Sequence, residues 1–288
     1  LHDALPILLS PVKPGGKVTE LVPELTGGRF DRFDLSFDAK KVVFAYKKPD
    51  DRFRIYEVGI DPEAGKMVPG SLRQLTTSEG DPTAVAISEN AKQYNVRGFD
   101  DMDPIYLPDG RFMFVSTRSA QTVFCAPGTV TTLYSMDADG KNMRRISQGP
   151  INETAPAVMS DGRVIYTRWE YSDRTAGYLH SLFVMNPDGT NQTEFYGNNS
   201  QFPAAMLHAR SVPNSTKVIA IAGAHHIDQR GKLIMIDRKA GTQAGIGVKL
   251  LAPERDYPYR ESMGTGGNIV HDTEGEQFQY PYPLDEDT

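Results

Sequence analysis

Three side chains of this 288-residue chain could together hold a zinc ion: its one cysteine, Cys125, and the adjacent pair His225-His226. Thiolate and imidazole are the donors that zinc favours. Adjacent residues on an extended chain point to opposite sides, so one of the two histidines faces away from any shared site. Cys125 has a second reading as a small buried hydrophobe. The acidic run Asp100, Asp101 and Asp103 could take calcium through its carboxylates. Asp137-Ala-Asp-Gly140 looks like the start of a calcium loop, but the eleventh residue on is Gln148, where an EF-hand needs a bidentate glutamate. That segment is a turn.

A second group of residues suits contact with a ligand or partner. It comprises Arg118, Arg168, Trp169, Glu170, Tyr171, Asp173, Arg174, Asn198, Asn199 and His208. Each has a structural alternative. Trp169 packs a sheet edge or touches a ligand, and the charges around it pair with neighbouring elements or with a partner. His208 is a hydrogen-bonded wall residue or a base. No Gly-x-Ser-x-Gly elbow, His-Glu-x-x-His pair or phosphate-binding glycine loop accompanies them, so no catalytic residue is assigned.

Composition narrows the setting. Hydrophobic residues at 39% and charged residues at 24% give material for a core and a wetted surface. A net charge of −6 opposes nucleic-acid binding, which needs a basic face. The longest apolar stretch, Lys217 to Ala224, is too short to span a bilayer. One cysteine permits no internal disulfide and no multi-thiolate zinc site. Leu1-His-Asp-Ala-Leu-Pro-Ile7 coincides with one reading frame of a common sequencing adapter, so residues 1–7 are expected to be an adapter-encoded artefact.

The elements that position these residues repeat. Pro104-Ile-Tyr-Leu107, Pro108-Asp-Gly110, Arg111-Phe-Met-Phe-Val-Ser116, Leu133-Tyr-Ser-Met136 and Met143-Arg-Arg-Ile-Ser147 spell strand, turn, strand, strand, strand. Ala155-Pro-Ala-Val158, Ser160-Asp-Gly162, Arg163-Val-Ile-Tyr166 and Leu182-Phe-Val-Met185 repeat the order 52 residues on, counted from Asp109 to Asp161. Two further copies begin at Asp34-Leu-Ser-Phe37 and Leu207-His-Ala-Arg210. Polar Asp-Gly turns between short β-branched and aromatic runs are hairpin chemistry. The runs are too short for helices, although Ala84 to Ala91 could form a short one.

Four-stranded units of this length predict an all-β fold, a β-propeller. Its full blades cover about 30–76, 103–148, 155–196 and 203–252, with partial blades at 8–22 and 278–288. Closure of such a ring takes roughly four to eight blades, so an incomplete propeller is expected, with apolar blade faces exposed at both ends.

The turn-strand grammar resembles the TolB-like six-bladed propellers. A narrower resemblance, over roughly residues 15 to 288, is to the propeller region of hydrazine synthase α-subunit-like proteins. It is carried by Asp101-Met-Asp-Pro-Ile-Tyr-Leu-Pro-Asp-Gly-Arg111, Ser116-Thr-Arg118, Thr167-Arg-Trp-Glu-Tyr171, Tyr196-Gly-Asn-Asn-Ser200, Gly223-Ala-His-His226 and Tyr280-Pro-Tyr-Pro-Leu284. The resemblance implies a periplasmic or otherwise exported propeller beside c-type haem domains. It also implies partners among other domains of the same chain or partner subunits. One cysteine cannot supply the Cys-x-x-Cys-His of a c-type haem, so no cofactor is assigned within this segment and haem c would belong to a neighbouring domain.

In a propeller, loops between second and third strands emerge on the same side as the connections between blades. That side collects Lys47 to Asp51, Arg118 to Pro127, Trp169 to Arg174 and His225-His226. Loops on a rigid scaffold are where sites are built. Three functions remain open: a non-catalytic interaction module, an enzyme sharing its site with another domain, and the propeller of a prolyl-oligopeptidase-type serine peptidase.

Overall fold

The computed structural model describes residues 6–78, 98–123, 128–170, 179–198, 203–223, 229–253 and 275–285. Every described element is a strand. The expected helix at Ala84 to Ala91 lies outside the described residues. Of two compact units, Leu1–Ile146 holds a two-stranded, a five-stranded and a four-stranded antiparallel sheet, and Ser147–Thr288 holds one eight-stranded sheet whose two antiparallel halves meet at a parallel bridge between His180 and Ala205.

In the first unit a hairpin of β1 (Ile7–Ser10) and β2 (Lys17–Glu20) precedes the first blade. That blade orders β3 (Arg29–Leu35), β4 (Lys41–Lys47) and β5 (Phe53–Asp61), with β6 (Lys66–Met67) and β7 (Arg73–Gln74) both pairing β5. The second blade runs β8 (Asp101–Tyr106), β9 (Phe112–Ser116), β10 (Thr132–Met136) and β11 (Arg144–Arg145). The second unit holds a third blade of β12 (Glu153–Val158), β13 (Val164–Trp169), β14 (His180–Met185) and β15 (Thr193–Tyr196). Its fourth blade is β16 (Ala205–Ser211), β17 (Val218–Gly223), β18 (Lys232–Ile236) and β19 (Val248–Ala252).

The turns explain why short runs become hairpins. At Leu107–Arg111 the Gly110 amide donates to Leu107 O (3.0 Å) and the Leu107 amide to Arg111 O (2.8 Å). Gly110 takes φ 86°, the left-handed conformation that closes this tight turn. The Asp109 carboxylate accepts the Arg111 amide at 3.1 Å. The same construction recurs at Gly140, Gly162 and Gly189, with Asp139, Asp161 and Asp188 as acceptors. Aspartate before glycine thus fixes register twice in each of two blades, the second and the third.

Alternation then builds the core. On one side of the first blade Val43, Ala45 and Ile55 pack against Tyr106, Phe112, Phe114, Tyr134 and Met136 of the second. On the other side Val42, Phe44, Tyr46, Tyr56 and Val58 meet Leu21 and Val22. Each fully buried aliphatic or aromatic side chain contributes roughly 1.5–3 kcal/mol. The third and fourth blades interlock through Ile165, Leu182, Val184 and Tyr196 against Met206, Val218, Ala220 and Ile234.

Exposure of the end faces is narrower than the sequence implies, because flanking segments cover them. Leu21, Val22 and Leu25 cap the first blade. Phe278 lies over Leu207, Ile221 and Leu233 of the fourth, bonded to Gly231 in both directions at 2.7 and 3.1 Å. On the first blade Phe33 (67% exposed) and Leu35 (41%) on β3 and Phe37 (69%) in the turn that follows are among the large apolar side chains that stay bare, as are Tyr282 and Leu284 near the C-terminal end.

Candidate functional site

The first strand of every blade carries a bulge at one register position. Two residues face one partner at Asp31-Arg32 opposite Ala45, Asp103-Pro104 opposite Phe114, Ala155-Pro156 opposite Tyr166, and His208-Ala209 opposite Ala220. Asp103, Ala155 and His208 sit at φ 49°, 55° and 55°. A non-glycine residue held there costs about 1–2 kcal/mol, and such bulges re-aim a side chain. Tyr280, before Pro281, takes φ 51° in the same sequence setting.

In the first unit the bulges bring two carboxylates into one electrostatic group. The Arg32 guanidinium reaches Asp103 at 3.5 Å. Burial, and then the Asp103 charge, push the Asp31 carboxyl up to about 6. Asp34 accepts the Tyr106 amide at 3.1 Å, tying β3 to β8. Tyr106 OH donates to Glu57 at 3.1 Å, and burial together with that carboxylate raises the phenol well above its usual range.

In the second unit His208 is buried, with Nε2 2.8 Å from Gln229 Oε1. The Tyr280 amide donates to Nδ1 at 3.4 Å, and the two rings stack at 4.3 Å. With Nδ1 facing the Tyr280 amide, Nε2 is the nitrogen placed toward Gln229. His208 is thus in hydrogen-bond contact through both ring nitrogens.

Arg118 forms a bidentate fork on Asp101 at 2.6 and 2.8 Å, with both side chains fully buried. Its guanidinium lies 4.0 Å from the Phe99 ring centroid, and Arg54 covers the same ring at 4.9 Å. Burial pushes Asp101 up to about 7 and lowers Arg118 to about 9, while the fork favours the charged pair. Trp169 is buried and stacks on His180 at 5.1 Å. Arg168 pairs with Glu170 at 3.1 Å on the same chain segment, not across blades. The Asn198 amide donates to Glu194 at 3.3 Å.

Cys125, Tyr171, Asp173, Arg174, Asn199, His225 and His226 lie outside the described residues. Asp100, Asp101 and Asp103 have separate partners: Asp100 accepts the Phe53 amide at 2.9 Å, Asp101 takes Arg118, and Asp103 takes Arg32. Among the described residues no group of three or more His, Cys, Asp or Glu is placed to hold a metal ion. Sequence reasoning missed Asp31 and Arg32. The signal available was Pro104 and Pro156 inside otherwise regular strand runs, since an interior strand proline marks a bulge.

No family model matches the chain, and no curated protein matches it. Solved structures do. A hydrazine synthase from Kuenenia stuttgartiensis superposes with TM-score 0.62 at 15% identity, covering 83% of this chain and 34% of that one. A protein assigned as TolB from Agrobacterium tumefaciens superposes with TM-score 0.57 at 16% identity, covering 87% of this chain and 74% of that one. The chain thus spans about a third of the hydrazine synthase chain it matches. Identities this low speak for fold alone. The chain is a β-propeller with the fold seen in TolB-like propellers.

Proposed function

We propose that the chain is a non-catalytic interaction propeller, part of a larger exported protein of the hydrazine synthase α-like type. The observation that carries this reading is the bare apolar strip of Phe33, Leu35 and Phe37. Phe33 and Leu35 stand in register with Phe44 and Val42, on the side of the sheet opposite the face buried against the second blade. A strip of this kind marks a surface meant to be covered. Its occupant is another domain of the same polypeptide, packing an apolar face on β3 as the second blade packs on the other side. In support, the hydrazine synthase match covers only part of a longer chain. Haem c, where the full protein uses it, sits in such a neighbouring domain.

The test is association. The chain is mixed with the separately expressed remainder of its open reading frame, and co-elution and the haem Soret band are followed. Phe33→Lys should abolish co-elution while the strand signal in circular dichroism persists. Co-elution that survives Phe33→Lys overturns the docking reading. A partner fraction without haem overturns the redox assignment alone.

A further inference from the structure

Independently of that reading, we propose that the corner of the first blade formed by Gly27-Gly28, Arg29, Lys47 and Lys48 binds a small oxyanion, a phosphate or carboxylate group. These residues line a cavity of about 230 Å³, with Asp50 as the one carboxylate among them. Three cations against one anion stand out on a chain of net charge −6.

The backbone makes this arrangement costly when empty. Arg29 and Lys47 are direct cross-strand partners, and like charges in that position repel. Neither forms an ion pair with a described residue, and the acids nearby are engaged elsewhere: Asp51 lies 3.7 Å from Arg54, and Asp100 lies 3.4 Å from Arg52. Lys48 is held at the rim, its ammonium 3.3 Å from Gln74 Oε1 and 5.9 Å from the Tyr56 ring centroid. An anion between Arg29 and Lys47 turns the repulsion into attraction.

The floor suits close approach. A side chain at Gly28 would meet Lys47 O and the Tyr46 hydroxyl at 2.3 Å, so only glycine fits where β3 begins. Tyr46 OH donates to Thr26 O at 3.0 Å, which fixes the turn. The Gly27 and Gly28 amides donate no hydrogen bond to a described residue and remain available to an oxyanion. A guanidinium can take two oxygens of one anion in a fork, while the lysines act as point charges.

The experiment is a thermal melt of the full chain against sodium phosphate, with sodium chloride holding ionic strength constant. Phosphate should raise the melting temperature of the wild type where chloride does not. Arg29→Gln should melt higher than wild type without phosphate, because the like-charge pair is gone, and should lose the phosphate response. A passive surface arginine would give neither change. Should Arg29→Gln lose its strand signal, Lys47→Gln carries the same comparison. Acetate and citrate separate the sources: a response to them equal to that for phosphate assigns a carboxylate, and a response to phosphate alone assigns a phosphoryl group. An equal shift from chloride, or an undiminished phosphate response in the variants, overturns the site.

Discussion

Asp31 is held in a position that works against folding at neutral pH. Its folded carboxyl titrates at about 6 against an ordinary 3.8. Below about pH 4 both folded and unfolded states are protonated and the residue contributes nothing. Between 4 and 6 the unfolded state releases its proton first, so stability falls as pH rises, and the deficit persists above 6. Asp31→Asn should therefore leave stability near pH 4 unchanged and raise it above pH 6. The gain is at most about 3 kcal/mol, less what solvent screens at this part-exposed carboxyl. Urea melts at two pH values read it directly. A variant equally destabilised at both would show that the carboxyl only fills space. Arg118 is the opposite case. Arg118→Met strands the buried Asp101 carboxylate, and loss of one partner of a buried pair costs about 3–5 kcal/mol. The loss should shrink on acidification, as Asp101 takes up a proton. A pH-independent loss would assign the effect to packing alone.

At the scale of elements, hairpins were legible and bulges were not. Asp109-Gly110 and Asp161-Gly162 announce their turns because the left-handed glycine and the carboxylate acceptor are both written in local residue types. Gly162→Ala should cost about 1 kcal/mol, as strain alone, because a side chain there meets nothing within 4 Å. Gly140→Ala should cost more, since its added carbon would sit 2.6 Å from Leu75 O. Equal costs in chemical denaturation would contradict this account of the turns. The bulges depend instead on pairing across strands. Asp31-Arg32 and His208-Ala209 carry no local turn signal, and only Pro104 and Pro156 mark their counterparts. For the same reason Arg118 reads on paper as a loop cation. Its partner Asp101 lies 17 residues away and becomes visible only when β8 and β9 pair.

For the whole molecule, repeated antiparallel sheets of one grammar give the propeller fold, and what covers their faces decides behaviour in solution. Phe278 and the segment from Leu21 to Leu25 pack on the end blades, and Phe33, Leu35 and Phe37 form a bare strip on the first. Apolar surface at a sheet edge associates unless it is partnered. The proposed interaction role rests on that strip, and sedimentation velocity of the purified chain over a wide concentration range tests it most directly. The wild type should shift to larger species as concentration rises, while the Phe33→Lys, Phe37→Lys double variant should stay monomeric with an unchanged circular dichroism spectrum. A wild type that sediments as a single monomer at every concentration would contradict the account.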